Sequence, residues 1–176
     1  VDGNGSDLET NSYFIGKKNK IKLIEKYKHH GIGSAYTAVT NKILNLGTGG
    51  EGKTMGLAPY GRKKNNKKIS YKLNGITTDF SNFMRRMPIS DVLNQLNSKF
   101  RPYPFKLQVK KSNKKNILQK YFTDWAYEIQ SVTEKVMVHL GKDILRKTKN
   151  RNICLAGGVA LNSVANQKLF KKNRFK

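Results

Sequence analysis

The chain has 176 residues, 35 of them Lys or Arg and 11 Asp or Glu, for a formal net charge of +24. Its 37% hydrophobic residues and mean hydropathy of -0.65 allow one core, and no apolar run is long enough to cross a bilayer. A single cysteine, Cys154, excludes an internal disulfide, and the polar, Gly-rich start lacks the basic-then-apolar order of a signal peptide, so a cytoplasmic setting is expected.

So large a positive balance favours a polyanion partner. Against this, the lysines accompany many Asn and Ile, as compositional drift would produce. Aromatic residues do not interleave with the basic runs as single-strand binders require, and no helix-turn-helix, zinc-finger or RNA-recognition signature is present. Nucleic acid is therefore not expected as a partner, and neither is a membrane.

In chain order, Val1-Asp2-Gly3-Asn4-Gly5 reads as the end of a strand entering a tight turn. An acid followed by glycine, here Asp2 and Gly3, suits metal or phosphate-water contacts; an aspartate bonding its own turn is the commoner use of the pattern. Residues 12–15 and 21–27 read as strands joined by a hairpin turn over 16–19. His29 and His30 follow as loop residues, since adjacent strand positions face opposite sides and cannot share a metal. Ile32, Ala35, Tyr36, Val39, Ile43 and Leu46 then recur at helical spacing, predicting an amphipathic helix over 32–46.

Residues 46–61, LGTGGEGKTMGLAPYG, are glycine-dense, with Glu51 and Lys53 on either side of Gly52. The glycine spacing is wrong for a Walker loop. Apolar anchors at Met55, Leu57 and Ala58 predict a binding lid held at one end. From 62 to 115 nothing offers a reaction centre, and the segment reads as an insertion or connector. It holds a basic loop (62–68), a strand (69–73), short helices at 79–87 and 91–100 with Asp79 and Ser90 as N-caps, prolines at Pro102 and Pro104, and a basic connector (108–115).

Leu118, Phe122, Trp125, Ile129, Val132, Val136, Leu140 and Ile144 form one apolar stripe, predicting a long helix over 116–148. His139 beside the stripe is a poor candidate ligand, and Gly141 permits a kink or a close crossing. Residues 152–156 read as a short buried strand containing Cys154. A turn at Gly157 and Gly158 then opens a helix from Val159, with Asn162 one turn in. A strand, a glycine turn and a helix N-terminus together make a phosphate-binding design, though simple close packing accounts for more Gly-Gly turns than ligands do. The order helix, parallel strand, glycine turn, helix is an α/β arrangement.

Three stretches in this order resemble the O-carbamoyltransferase family of nodulation and antibiotic carbamoyltransferases: VDGNGSDLETNSYFIGKKNKIKLIEKYKHHGIGSAYTAVT, GGEGKTMGLAPYG and NICLAGGVALNSVANQKLF. The resemblance implies an actin/sugar-kinase/Hsp70-like (ribonuclease H-like) mixed sheet with flanking helices, related to the enzymes that make threonylcarbamoyl-tRNA. It implies transfer of a carbamoyl group from carbamoyl phosphate, through a carbamoyl-adenylate made with ATP, to a hydroxyl of a small molecule or sugar. It assigns Asp2 to a metal and phosphate centre built on a divalent ion, Fe2+ or Mg2+, most of whose ligands are expected elsewhere. It assigns Gly157, Gly158, Asn162 and Gly3 to nucleotide or phosphate binding, and Glu51 and Lys53 to the reacting group. The family's spaced histidine pair is expected before Val1 and is not His29 and His30; a later acid and a carbamoyl-phosphate domain are expected after Lys176. With Val1 in place of a methionine, the chain is expected to be one piece of a catalytic domain, inactive alone. The alternatives are a sugar kinase or tRNA-modifying relative of the same fold, which the Gly-Glu-Gly-Lys stretch disfavours, and a basic nucleic-acid-binding module.

Overall fold

The computed structural model describes residues 1–3, 5, 7–63, 69–87 and 110–175. Within them, helices and two small sheets form a mixed α/β architecture. The expected hairpin is present and longer than periodicity indicated: β1 (Glu9–Lys17) pairs antiparallel with β2 (Lys20–Lys28). The left-handed Lys18 (φ 52) lies in its two-residue turn. A second antiparallel pair, β3 (Lys72–Asn74) with β4 (Thr77–Asp79), is shorter than the strand predicted over 69–73 and turns at Gly75 (φ +55). Buried Asn11 ties the hairpin to this pair, donating to the Ile76 carbonyl and the Thr78 hydroxyl, each at 2.8 Å.

The apolar periodicity from Ile32 forms α1 (Ile32–Ala38), which widens into a π-turn at Val39–Ile43, where the Leu44 N–H reaches back to the Val39 carbonyl (3.0 Å). Next come α2 (Glu51–Leu57), a 3-10 turn (Ala58–Tyr60) and α3 (Ser81–Arg86). Asp79 is not the N-cap predicted for α3: that position is Phe80, which makes no side-chain cap bond, while Asp79 ends β4 and its Oδ1 accepts from the Ser81 N–H at 2.8 Å. The helix predicted at 91–100, with Ser90, Pro102 and Pro104, lies outside the described residues.

The packing is organised around α4 (Lys120–Thr148), 29 residues long. It starts later than predicted, because Leu118 is 68% exposed in the preceding turn and anchors nothing. Phe122, Trp125, Ile129, Val132, Val136 and Leu140 are buried as the stripe requires, against Ile32, Ala35, Val39 and Ile43 of the α1 segment. Each large apolar side chain so buried contributes about 1.5–3 kcal/mol. The hairpin docks on the same helix through the Tyr13 hydroxyl, which donates to the Leu140 carbonyl (3.1 Å). Lys147 pairs with Asp143 and Glu25 below the Tyr13 ring. A 3-10 turn (Gly158–Leu161) leads into α5 (Ser163–Asn173), whose Ala165 and Leu169 are buried in the core. Gly141 does mark a close crossing: a Cβ there would lie 2.3 Å from Asn173 Nδ2.

The strand predicted at 152–156 is not formed among the described residues, and so neither is the parallel ladder. The segment alternates, with Ile153 and Leu155 partly buried and Asn152, Cys154 and Ala156 exposed, but no strand among the described residues pairs with it. Cys154 is consequently an exposed thiol, not the buried hydrophobe expected. Among the described residues no helix is long and apolar enough to cross a membrane.

Candidate functional site

Asp2 and the glycine turn, 155 positions apart, meet directly. The Val1 nitrogen donates to the Ala156 carbonyl (3.0 Å), and the Val159 N–H donates to the Val1 carbonyl (3.3 Å). Asp2 is held on its other side by its N–H bond to the Thr10 carbonyl (2.8 Å) at the start of β1. Its Oδ1 accepts from the Gly3 N–H at 2.7 Å, which points the carboxylate at the turn. Gly157 has φ +95, and a Cβ there would lie 2.4 Å from the Val1 carbonyl oxygen and 3.1 Å from Asp2 Oδ2; one at Gly158 would lie 3.2 Å from Asp2 Oδ1. Close approach of residues 1–2 thus accounts for both glycines on the inner side, while both residues remain exposed on the outer side.

The first turn of α1 completes this cluster. A Cβ at Gly33 would sit 2.5 Å from the Gly3 nitrogen, and the Ser34 hydroxyl donates to the Gly3 carbonyl (3.1 Å). One turn on, the Thr37 hydroxyl donates to Glu51 Oε1 (2.9 Å). Asp2, Gly3, Gly157, Gly158 and Glu51 therefore lie along one helix.

Glu51 does not sit on a lid. The glycine-dense stretch turns at Gly47 (φ +75) and Gly49 (φ +78) and then becomes helical from Glu51. An acid in the first turn complements the helix dipole. The buried hydroxyls of Thr40 and Thr54, 2.8 Å apart, pin α2 to the α1 segment. Positions two apart on a helix face different ways, so Glu51 turns to α1 while Lys53 is exposed.

Asn162 is the N-cap of α5 and not one turn inside it: its Oδ1 accepts from the Ala165 N–H at 3.0 Å. Its amide also pairs with that of Gln130, with Asn162 Nδ2 donating to Gln130 Oε1 (2.8 Å) and Gln130 Nε2 donating to Asn162 Oδ1 (3.2 Å). The Tyr36 hydroxyl donates to the same Gln130 Oε1 at 3.1 Å. Burial, and then the charges of Glu51 and Glu134, push the Tyr36 hydroxyl well above the usual phenol range, which keeps its proton on. Sequence reasoning passed over Gln130 because it lies in the buried arc of α4; an amide among apolar positions was the available signal.

The histidines take no part in this cluster. His29 is exposed with a strained φ of 135, and its ring lies 5.5 Å from that of Tyr27. The His139 Nε2 donates to the Gly75 carbonyl (2.9 Å). No three His, Cys, Asp or Glu side chains converge among the described residues, so these residues do not by themselves fit a metal ion. Two concavities, of about 390 and 430 Å³, run along α4 and share Lys142; neither is lined by any residue of the Asp2 cluster.

Comparison with known proteins bears on this arrangement. A family model described as the carbamoyltransferase N-terminus matches residues 1–176. Uncharacterized protein sll1178 of Synechocystis sp. (strain ATCC 27184 / PCC 6803 / Kazusa) is 34% identical over 179 residues, covering 100% of this chain. The chain spans only 28% of that relative's length.

Proposed function

We infer, for a chain that belongs to the carbamoyltransferase family by its N-terminal region, that it forms the nucleotide-facing part of an O-carbamoyltransferase with an actin/sugar-kinase-like fold. The observation that carries this reading is the Asp2 carboxylate lying against Gly157 and Gly158, with α1 joining both to Glu51. The reaction is transfer of a carbamoyl group from carbamoyl phosphate, activated with ATP as a carbamoyl-adenylate, to a hydroxyl of an acceptor molecule.

In this reading the exposed side of the Gly157–Gly158 turn admits phosphate oxygens close to the backbone, where no Cβ stands in the way. Asn162 holds the start of α5 beside that turn through its bond to the Ala165 N–H. Lys53 extends into solvent and neutralises charge that develops on the leaving phosphate, a preorganised electrostatic contribution. Glu51, oriented by Thr37, accepts a proton or a hydroxyl hydrogen bond near the reacting carbon. The acceptor oxygen forms its bond to the carbamoyl carbon, the bond from that carbon to the adenylate oxygen breaks, AMP leaves, and the hydroxyl proton passes to a base. No step runs through a metal ion, for which the described residues supply no group of three ligands.

The test is ATP- and carbamoyl-phosphate-dependent transfer by the full-length protein. Asp2→Asn and Lys53→Met are each expected to lower kcat by about 100-fold. Wild-type rates in both variants, or no carbamoyl-dependent ATP turnover in the parent, refute the assignment.

A further inference from the structure

We propose that Gln130 is a positioning residue of this site, holding Asn162 at the N-cap of α5 and locking the glycine turn to α1; the proposal rests on the reading that the turn takes a nucleotide. Gln130 is 4% exposed, and all four of its amide valences are used. Its Oε1 accepts from Tyr36 (3.1 Å) and Asn162 (2.8 Å), and its Nε2 donates to Asn162 Oδ1 (3.2 Å) and Glu134 Oε1 (3.2 Å). The carboxylate of Glu134 accepts only, and Tyr36 keeps its proton, so the flipped amide would set oxygen against oxygen and leave the phenol without an acceptor.

The consequence falls on Asn162. Its oxygen is filled by the Ala165 N–H and by Gln130, and one of its two amide hydrogens is given to Gln130. Asn162 is thereby fixed as the N-cap directly after the glycine turn, and loss of Gln130 frees the cap and the turn together. Through Tyr36 the same amide reaches α1, whose first turn supports Asp2 and Gly3. Gln130 thus joins α1 to the N-cap that follows the glycine turn.

The experiment uses the full-length protein with Gln130→Met and Gln130→Glu, measuring kcat, KM for each substrate, ATP binding by titration calorimetry, and amide hydrogen exchange over residues 157–165. Both variants are expected to raise KM for ATP by about tenfold, the usual scale for a group that orients a ligand-binding side chain, while KM for carbamoyl phosphate holds. Exchange should quicken over 157–165 and not in α4. In Gln130→Glu, ATP affinity should recover as pH falls, because the protonated carboxyl again donates to Asn162 Oδ1. Unchanged exchange and unchanged KM for ATP overturn the proposal, as does an equal loss of affinity for both substrates that follows loss of fold. If neither variant folds, Asn162→Asp serves instead: it keeps the capping oxygen and removes the donor to Gln130, and it must quicken the same segment or the proposal fails. A wild-type protein that binds no ATP refutes the functional reading, whereas the exchange result judges the positioning role independently.

Discussion

Gly61→Ala isolates one packing contact. Gly61 follows the 3-10 turn after α2 with φ -94 and ψ 172, extended backbone open to any residue, so alanine brings no conformational strain. What it brings is a methyl group against α4: the Cβ would lie 2.0 Å from the Thr123 carbonyl oxygen and 2.7 Å from Tyr127 Cβ. A carbon and an oxygen need roughly 3.2 Å, near the favourable contact range, so the two segments must part by more than an ångström. α4 is held by its own ladder and by the core, so the turn and α2 must give way. The same displacement pulls the Arg62 N–H from Asp124 Oδ1, a 3.0 Å bond to a carboxylate only 4% exposed. Overpacking costs about 1–3 kcal/mol and weakening a buried bond to a charged group about 1.5–3 kcal/mol. One movement causes both, so the terms do not simply add, and a total near 3 kcal/mol is expected. For a chain of this size that lowers Tm by about 6–12 °C. Thermal unfolding followed by fluorescence reads it directly, because Trp125 is the only tryptophan of the chain and is 2% exposed. A Tm within about 2 °C of wild type would show that the turn does not cross α4 at contact distance, and the reasoning would fail.

Gly52 provides the opposite case: it lies inside α2, and a Cβ there would meet nothing within 4 Å, so Gly52→Ala should raise the urea midpoint by the equivalent of about 0.5–1 kcal/mol. A lowered midpoint would contradict the helix assigned to that stretch. Asn162→Ala removes the α5 cap and strands Gln130, for an expected loss of about 2 kcal/mol; in equilibrium unfolding Asn162→Asp should recover the capping share alone. The Asp79 carboxyl is held below its ordinary value of 3.8 by hydrogen bonds from Ser81 and, more weakly, by Lys72 and His29. A depressed folded pKa contributes stability that is present above pH 3.8 and lost as pH falls below it. Asp79→Asn should therefore flatten the acid limb of the stability curve below that pH, and an acid limb identical to wild type would exclude the role.

Much of the fold could be read from the chain because it follows from local period. The α1 segment and the stripe of α4 came out where apolar spacing put them, since each must bury one face; the hairpin followed from its turn signal, and its far half leaves Phe14, Ile21 and Leu23 exposed. The errors lie where a partner or a few glycines decide. Residues 152–156 have the composition of a buried strand, yet a strand requires a neighbour, and among the described residues only Val1 bonds its end. The 46–61 stretch has the glycine content of a loop, yet the hydroxyl pair of Thr40 and Thr54 and the acid at Glu51 are enough to hold a helix there.

From sequence alone came the family, through motifs whose order is itself information, and the identity of the residues worth following: Asp2, Glu51, Lys53 and the Gly157–Gly158 turn. Tertiary structure decided which of them meet. It set Asp2 against the turn, brought Glu51 onto α1, left Lys53 in solvent and revealed Gln130. The physical reason is that periodicity reports the face a residue turns, whereas the fit of a carboxylate over a glycine, or of one amide on another, depends on ångström distances between segments up to 155 residues apart.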